Sequence, residues 1–222
     1  MLTAQLIIAR AIHIGASILL AGIFIFDLVM LAPTRRLGTD DLHEIERRLF
    51  RLAVWSLVAA LFSALLWFCL EVASMSGLPL KNAFSATAWP TILFEIQFGR
   101  VWQLRLGLIA ALFVLVATAL GKIKAQRSLA PVLCLLSVVL LGSLAWISHA
   151  AAASVHPLGL LGDMLHLCAA GGWIGGLVPL TVFLVHVRAP FSLGETVARV
   201  VYRFFHAQFV LREHSHHQRN FQ

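Results

Sequence analysis

Five apolar runs of about 20 residues each dominate this chain, and a run of that length with few charges is long enough to cross a bilayer as an α-helix. They read as spans over about 4–31, ended by Pro33; 50–73; 100–120, ended by Gly121; 131–149, opened by Pro131 as a favourable first-turn residue; and 160–187, ended before Pro190. A weaker sixth span starts near Thr196 and fades at Arg212. Of 222 residues, 60% are hydrophobic and 12% charged, with a mean hydropathy of +0.89. That composition excludes a soluble domain and fits one all-α, polytopic transmembrane helix bundle. The first run is too long for a signal peptide, carries Arg10 and His13 inside it and is closed by Asp27, so it reads as a retained span.

The net charge of +7 is a statement about orientation rather than about nucleic acid. Arg35, Arg36, Arg47, Arg48 and Arg51 lie between spans one and two. Lys122, Lys124 and Arg127 lie between spans three and four, and Arg188, Arg199 and Arg203 follow span five. The alternate connections are poor in basic residues: 74–99 has only Lys81, and 150–160 has none. Basic loops face the cytoplasm, so the N-terminus is expected outside. Residues 82–99, with Trp89-Pro90, are long for a connector. They read either as an interfacial or re-entrant piece or as an ordinary apolar loop.

Two histidines stand inside the spans, in echoing frames. His13 is followed by Ala16 and Gly22, and His166 by Ala169 and Gly175, at the same offsets. An ionisable residue at membrane depth is costly and marks a functional site by default. At about 1.5 Å per residue, His13 lies roughly 15 Å and His166 roughly 9 Å below the outer start of its span. His149 ends span four on that same side, and His156 follows in the outer connection, with Asp163 and Met164 opening span five and Glu71 and Met75 closing span two. His43 falls among Glu44 and Glu46 as a solvated residue. His186, at the inner end of span five, is placed to snorkel or cap carbonyls.

Imidazole, thioether and thiolate donors together favour copper, as Cu(I) or Cu(II), over hard cations. The candidate metal ligands are His13 and His166, helped by His149, His156, Met164 and Cys168. Cys69 and Cys134 read as small apolar fillers. Gly22, with Gly171, Gly172, Gly175 and Gly176, supplies small faces for close helix packing, which would bring His13 toward His166. Arg10, Arg100 and Arg105 pair with Asp163, Glu71 or Glu95, or snorkel to the interface. Two other readings remain open: a b-type haem protein with histidine axial ligands, and a structural or assembly subunit whose histidines are packing glue. Nucleophile–base pairs, phosphate loops and zinc-hydrolase motifs are absent, so the chain is read as a non-enzyme that binds neither nucleotide nor nucleic acid and whose first partner is lipid.

Three segments carry a resemblance. Ala9-Arg10-Ala11-Ile12-His13 with Ala21-Gly22, then Gly99-Arg100-Val101-Trp102-Gln103-Leu104-Arg105, then Asp163-Met164-Leu165-His166 through Gly172-Trp173 and Gly175-Gly176 to Pro179-Leu180, are similar to the copper resistance protein D (CopD) family of bacterial inner-membrane proteins. The resemblance runs in order over about residues 1–203. It implies a polytopic protein of copper uptake or handling, often beside a periplasmic copper-binding protein of the CopC type, and it matches His13 and His166 to the family's motifs. After Phe204 the chain departs from that pattern and turns polar. Residues 204–222, with His206, His214, His216 and His217, read as a disordered His-rich tail of accidental sequence, and the bundle 1–203 as altered or truncated at its end, which puts complete transport activity in doubt.

Overall fold

The computed structural model describes residues 2–37, 40–77, 88–147, 157–186, 198 and 200–202. Among them there are six α-helices and no strand: α1 (Leu2–Phe26), α2 (Asp40–Ser76), α3 (Ala88–Phe94), α4 (Gln97–Ala119), α5 (Ile123–Gly142) and α6 (Pro157–His186). Five of them, all but α3, are long and apolar enough to cross a membrane, in agreement with the sequence. Helices are what such sequences must form in lipid, where each backbone polar group needs a partner within its own segment.

α1 is the central helix, packed on α2, α5 and α6. Its buried positions, Leu6, Ala9, His13, Ser17, Leu20 and Phe24, recur every three or four residues, so His13 belongs to the inward stripe. Against α6 the approach is backbone to backbone. A Cβ built on Gly22 would overlap the main chain of Gly175, and one on Gly175 would overlap the carbonyl of Ile18. Gly171 lies against Leu141 and Ala21, and Gly176 is buried, whereas Gly172 meets nothing on its Cβ side.

Span two is longer than expected. α2 begins at Asp40 rather than Phe50, so the charged stretch read as a loop is its first turns. Leu42, Ile45 and Leu49 are buried there, in register with Ala53, Leu57, Ala60, Ala64 and Trp67 further along. Gly77 (φ 66°) and Gly121 (φ 71°) take the left-handed conformation just past the ends of α2 and α4, the usual glycine stop. Pro131 does not open span four: α5 starts at Ile123 and carries Pro131 inside, one turn beyond the point where a missing N–H costs nothing. Regular helix also stops early in two places. α1 passes into a π turn, Asp27–Leu31, and a 3₁₀ segment, Ala32–Leu37, that contains Pro33; α5 passes into a 3₁₀ segment, Ser143–Ile147.

The 82–99 stretch resolves in part into α3, with Trp89 and Pro90 in its first turn. Ile92 is buried with Val72 and Ala73 of α2. Gly99 lets the start of α4 approach the carbonyls of Ile92 and Leu93, and Gln103 Nε2 donates to Leu93 O at 2.7 Å. Of the expected sixth span, Ala198 and Val200–Tyr202 are helical and Val200 is buried; the rest of it, and the 204–222 tail, lie outside the described residues.

Candidate metal-handling centre

In the half of the bundle where α1 begins, the apolar stripes of three helices turn polar at one level. His13 of α1 is 0% exposed, and Arg105 of α4 is 1% exposed. Arg105 stands in the buried register of its helix, between Trp102 and Ile109, so helix periodicity carries a cation straight into the core. The guanidinium donates through Nη2 to His13 Nε2, and through Nη1 to Leu140 O at 2.8 Å and to Ser143 Oγ. Among the described residues no carboxylate lies within ion-pair distance of it.

The partners fix the tautomer of His13. Nδ1 lies 3.0 Å from Ala60 O, which only accepts, and 3.2 Å from Ser63 Oγ, whose own proton goes to Ala59 O at 2.6 Å. Nδ1 therefore carries the hydrogen. Arg105 only donates, so Nε2 presents its lone pair. Ala60 and Ser63 stand on the α2 stripe that faces α1, which is how the ring comes to be held from that side.

Aromatic side chains wall the cluster. Trp67 and Trp102 ring centroids lie 5.7 and 6.0 Å from that of His13 and 4.9 Å from each other. The Arg105 guanidinium is 5.8 Å from the Trp102 ring, and that of Arg10 is 5.3 Å from Trp67. Toward the helix ends Glu71 accepts from Arg10 Nη2 at 2.8 Å and from Trp67 Nε1 at 3.0 Å, which realises one of the expected arginine–carboxylate pairs. Trp102 Nε1 and Arg105 Nε are buried with no partner among the described residues. Phe98 and Phe68 extend the aromatic stack from Trp102 toward α3.

Other candidate ligands fall elsewhere. Met164 and Cys168, one turn apart on α6, converge on Gly142: a Cβ there would lie 3.4 Å from Met164 Cε and 3.9 Å from Cys168 Sγ. Gly142 adjoins Ser143, so Met164 and Cys168 face the end of α5 next to the residue that Arg105 holds. His166 is exposed on α6. The echoing frames themselves account for this. Each histidine precedes its glycine by nine residues, about 2.5 turns at 3.6 residues per turn, so ring and glycine occupy opposite faces. With Gly22 against Gly175, His13 and His166 point away from each other rather than together. His149 and His156 lie outside the described residues. Among the described residues no three His, Cys, Asp or Glu side chains converge into a ready cation site.

Arg105, Ser63, Ser143 and the two tryptophans are the members that sequence reading did not assemble. The legible signal was the position of Arg105 on the Trp102–Ile109 stripe. A haem held through His13 needs open space for its plane, but His13 and Trp102 are fully buried and Trp67 and Trp102 pack against the ring; these surroundings do not fit a porphyrin.

At the other end a second cluster ties the π turn to α2 and α5. Arg35 Nη2 donates to both Asp27 oxygens at 2.6 and 2.7 Å, and its Nε donates to Glu46 at 2.7 Å. Arg127 Nη2 donates to Glu46 Oε2 at 2.7 Å. His186 Nδ1 lies 2.8 Å from Val182 O, the carbonyl contact expected of it.

A curated relative, the copper transport protein CutJ of Bacillus subtilis (strain 168), is 28% identical over 149 residues, which cover 64% of this chain and 26% of the relative. The chain thus spans about a quarter of that protein's length. No solved structure matches. The family described as copper resistance protein D-like, N-terminal domain, matches residues 1–157, with Arg10, His13, Trp67, Trp102 and Arg105 all inside the match, and it is to this family that the chain belongs.

Proposed function

We propose that this chain is a copper-handling protein of the bacterial inner membrane, oriented with its N-terminus outside, that accepts the ion at the outer face and passes it inward. The observation that carries the reading is the His13 tautomer. A metal-binding imidazole almost always donates its other ring N–H to a carbonyl or carboxylate, which fixes the ring and raises its basicity. Here Nδ1 donates to Ala60 O and Nε2 faces inward at membrane depth. Family membership and the relative's role as a copper transport protein point to the same metal. His149 and His156 in the outer connection and the exposed His166 would meet the ion first. Met164 and Cys168 supply soft sulfur, which suits Cu(I). A periplasmic copper-binding protein of the CopC type is the matching donor.

A second reading is favoured by one specific observation: both ring nitrogens of His13 are already engaged, as in a purely structural interhelical tie. A Cu(I) competition titration on detergent-purified protein separates the two. His13→Ala and His166→Ala should each weaken binding and lower cellular copper accumulation. If both variants bind copper as the parent does and change only thermal stability, the structural reading stands and copper handling at these residues does not.

A further inference from the structure

We infer that Arg105 is a tethered surrogate cation: it occupies the ligand position of His13 while no metal is there, and an incoming ion must displace it. The inference rests on the copper reading above. Nε2 is the sole lone pair His13 has left, and Arg105 Nη2 holds it. The same guanidinium is anchored separately, through Nη1, to Leu140 O and Ser143 Oγ at the end of α5. Releasing Nη2 therefore frees His13 without freeing the arginine.

The character of its partners makes Arg105 displaceable. They are an imidazole, a carbonyl, a hydroxyl and an indole face, all neutral. Arg35 and Arg127, by contrast, are each locked to carboxylates at 2.6–2.7 Å. Among the described residues two buried N–H groups, the guanidinium's own Nε and Trp102 Nε1, have no hydrogen-bond partner. A buried cation held, among the described residues, by neutral groups, one of them an imidazole nitrogen in the tautomer that ligation requires, is a competitor built into the site.

The arrangement also selects by charge. Arg105 stays in the core after it yields Nε2, so the arriving ion must sit beside a retained positive charge in a medium of low dielectric. Repulsion scales with the ion's charge, which disfavours divalent cations relative to monovalent ones. The substrate class is accordingly a monovalent soft cation, Cu(I), with Ag(I) as its non-redox stand-in. Met164 and Cys168 face the end of α5 next to Ser143, the anchor on which the guanidinium would pivot.

The test compares Cu(I) dissociation constants of the full chain and of its Arg105→Gln, Arg105→Lys and His13→Ala variants, by competition with a chromophoric chelator in detergent. Arg105→Gln should tighten Cu(I) binding at least tenfold. Arg105→Lys, which keeps the charge but is too short to hold both the α5 anchor and Nε2, should tighten it less. His13→Ala should remove the gain when combined with either. Unchanged or weaker binding in Arg105→Gln, with binding still lost in His13→Ala, overturns the surrogate role and leaves the copper reading standing. Unchanged binding in His13→Ala alone overturns both. A measurement on the unmodified sequence guards against misfolded variants: with ¹⁵N-labelled histidine and arginine, Ag(I) should move the His13 Nε2 and Arg105 guanidinium resonances together. A shift of His13 without Arg105 refutes displacement.

Discussion

The two polar clusters of this bundle solve the same problem in opposite ways. Around Glu46 two carboxylates face two guanidiniums, so charge is balanced within hydrogen-bonding distance. Around His13 a guanidinium is buried among neutral groups, and the nearby carboxylate, Glu71, is taken by Arg10 and Trp67. A balanced network resists removal of any one member, because what remains is an uncompensated charge. An unbalanced cation has little to lose. The Glu46 cluster is built to stay shut, and the His13 cluster to exchange a partner.

The largest expected effect comes from breaking the balanced side. Glu46→Ala leaves Arg35 and Arg127 facing each other and should cost about 3 kcal/mol or more in unfolding free energy, measured by denaturant titration in detergent. Arg105→Met removes a charge of similar burial from the other cluster, yet should cost less, about 1–2 kcal/mol, because the groups it strands, His13 Nε2, Leu140 O and Ser143 Oγ, are neutral. Equal losses from the two substitutions would abolish the distinction between the clusters. A double-mutant cycle on Glu46→Gln and Arg127→Gln should give a coupling of about 1 kcal/mol or more, and the corresponding cycle on Arg105→Gln and His13→Ala a smaller one. Smallest of all is the contrast between the tryptophans. Trp67→Phe breaks the bond to Glu71, whereas Trp102→Phe removes an N–H that has no partner among the described residues, so the first should be less stable than the second by about 1 kcal/mol.

The five spans were legible because apolar length is a one-dimensional signal. The stop at Gly121 and the Arg10–Glu71 pair were legible for related reasons: each follows from local chemistry or from depth alone. The early start of α2 was hidden by its charges, although Leu42, Ile45 and Leu49 already carried the helical period. Pro131 misled because a first-turn proline and a mid-helix proline look alike in a bare sequence. The rotational setting of helices was the harder matter. Depth put His13 and His166 at one level, but which way a ring points depends on which face of each helix finds a partner. Gly22 and Gly175 decided that, and turned the rings apart. By sequence Arg105 either pairs with a carboxylate or snorkels to the interface; in the structure it meets His13 instead, because helix α4 is rotated so that Trp102, Arg105 and Ile109 face inward.

The contact between Gly22 and Gly175 has a consequence for how the bundle is assembled. These glycines are about 150 residues apart, so the face of α1 that α6 will cover must wait through three intervening spans before its partner is synthesised. The central helix is thus threaded early and completed late. Until then its glycine face borders lipid, whereas the His13 cluster, drawn from α1, α2, α4 and the end of α5, has all its members in place before α6 arrives.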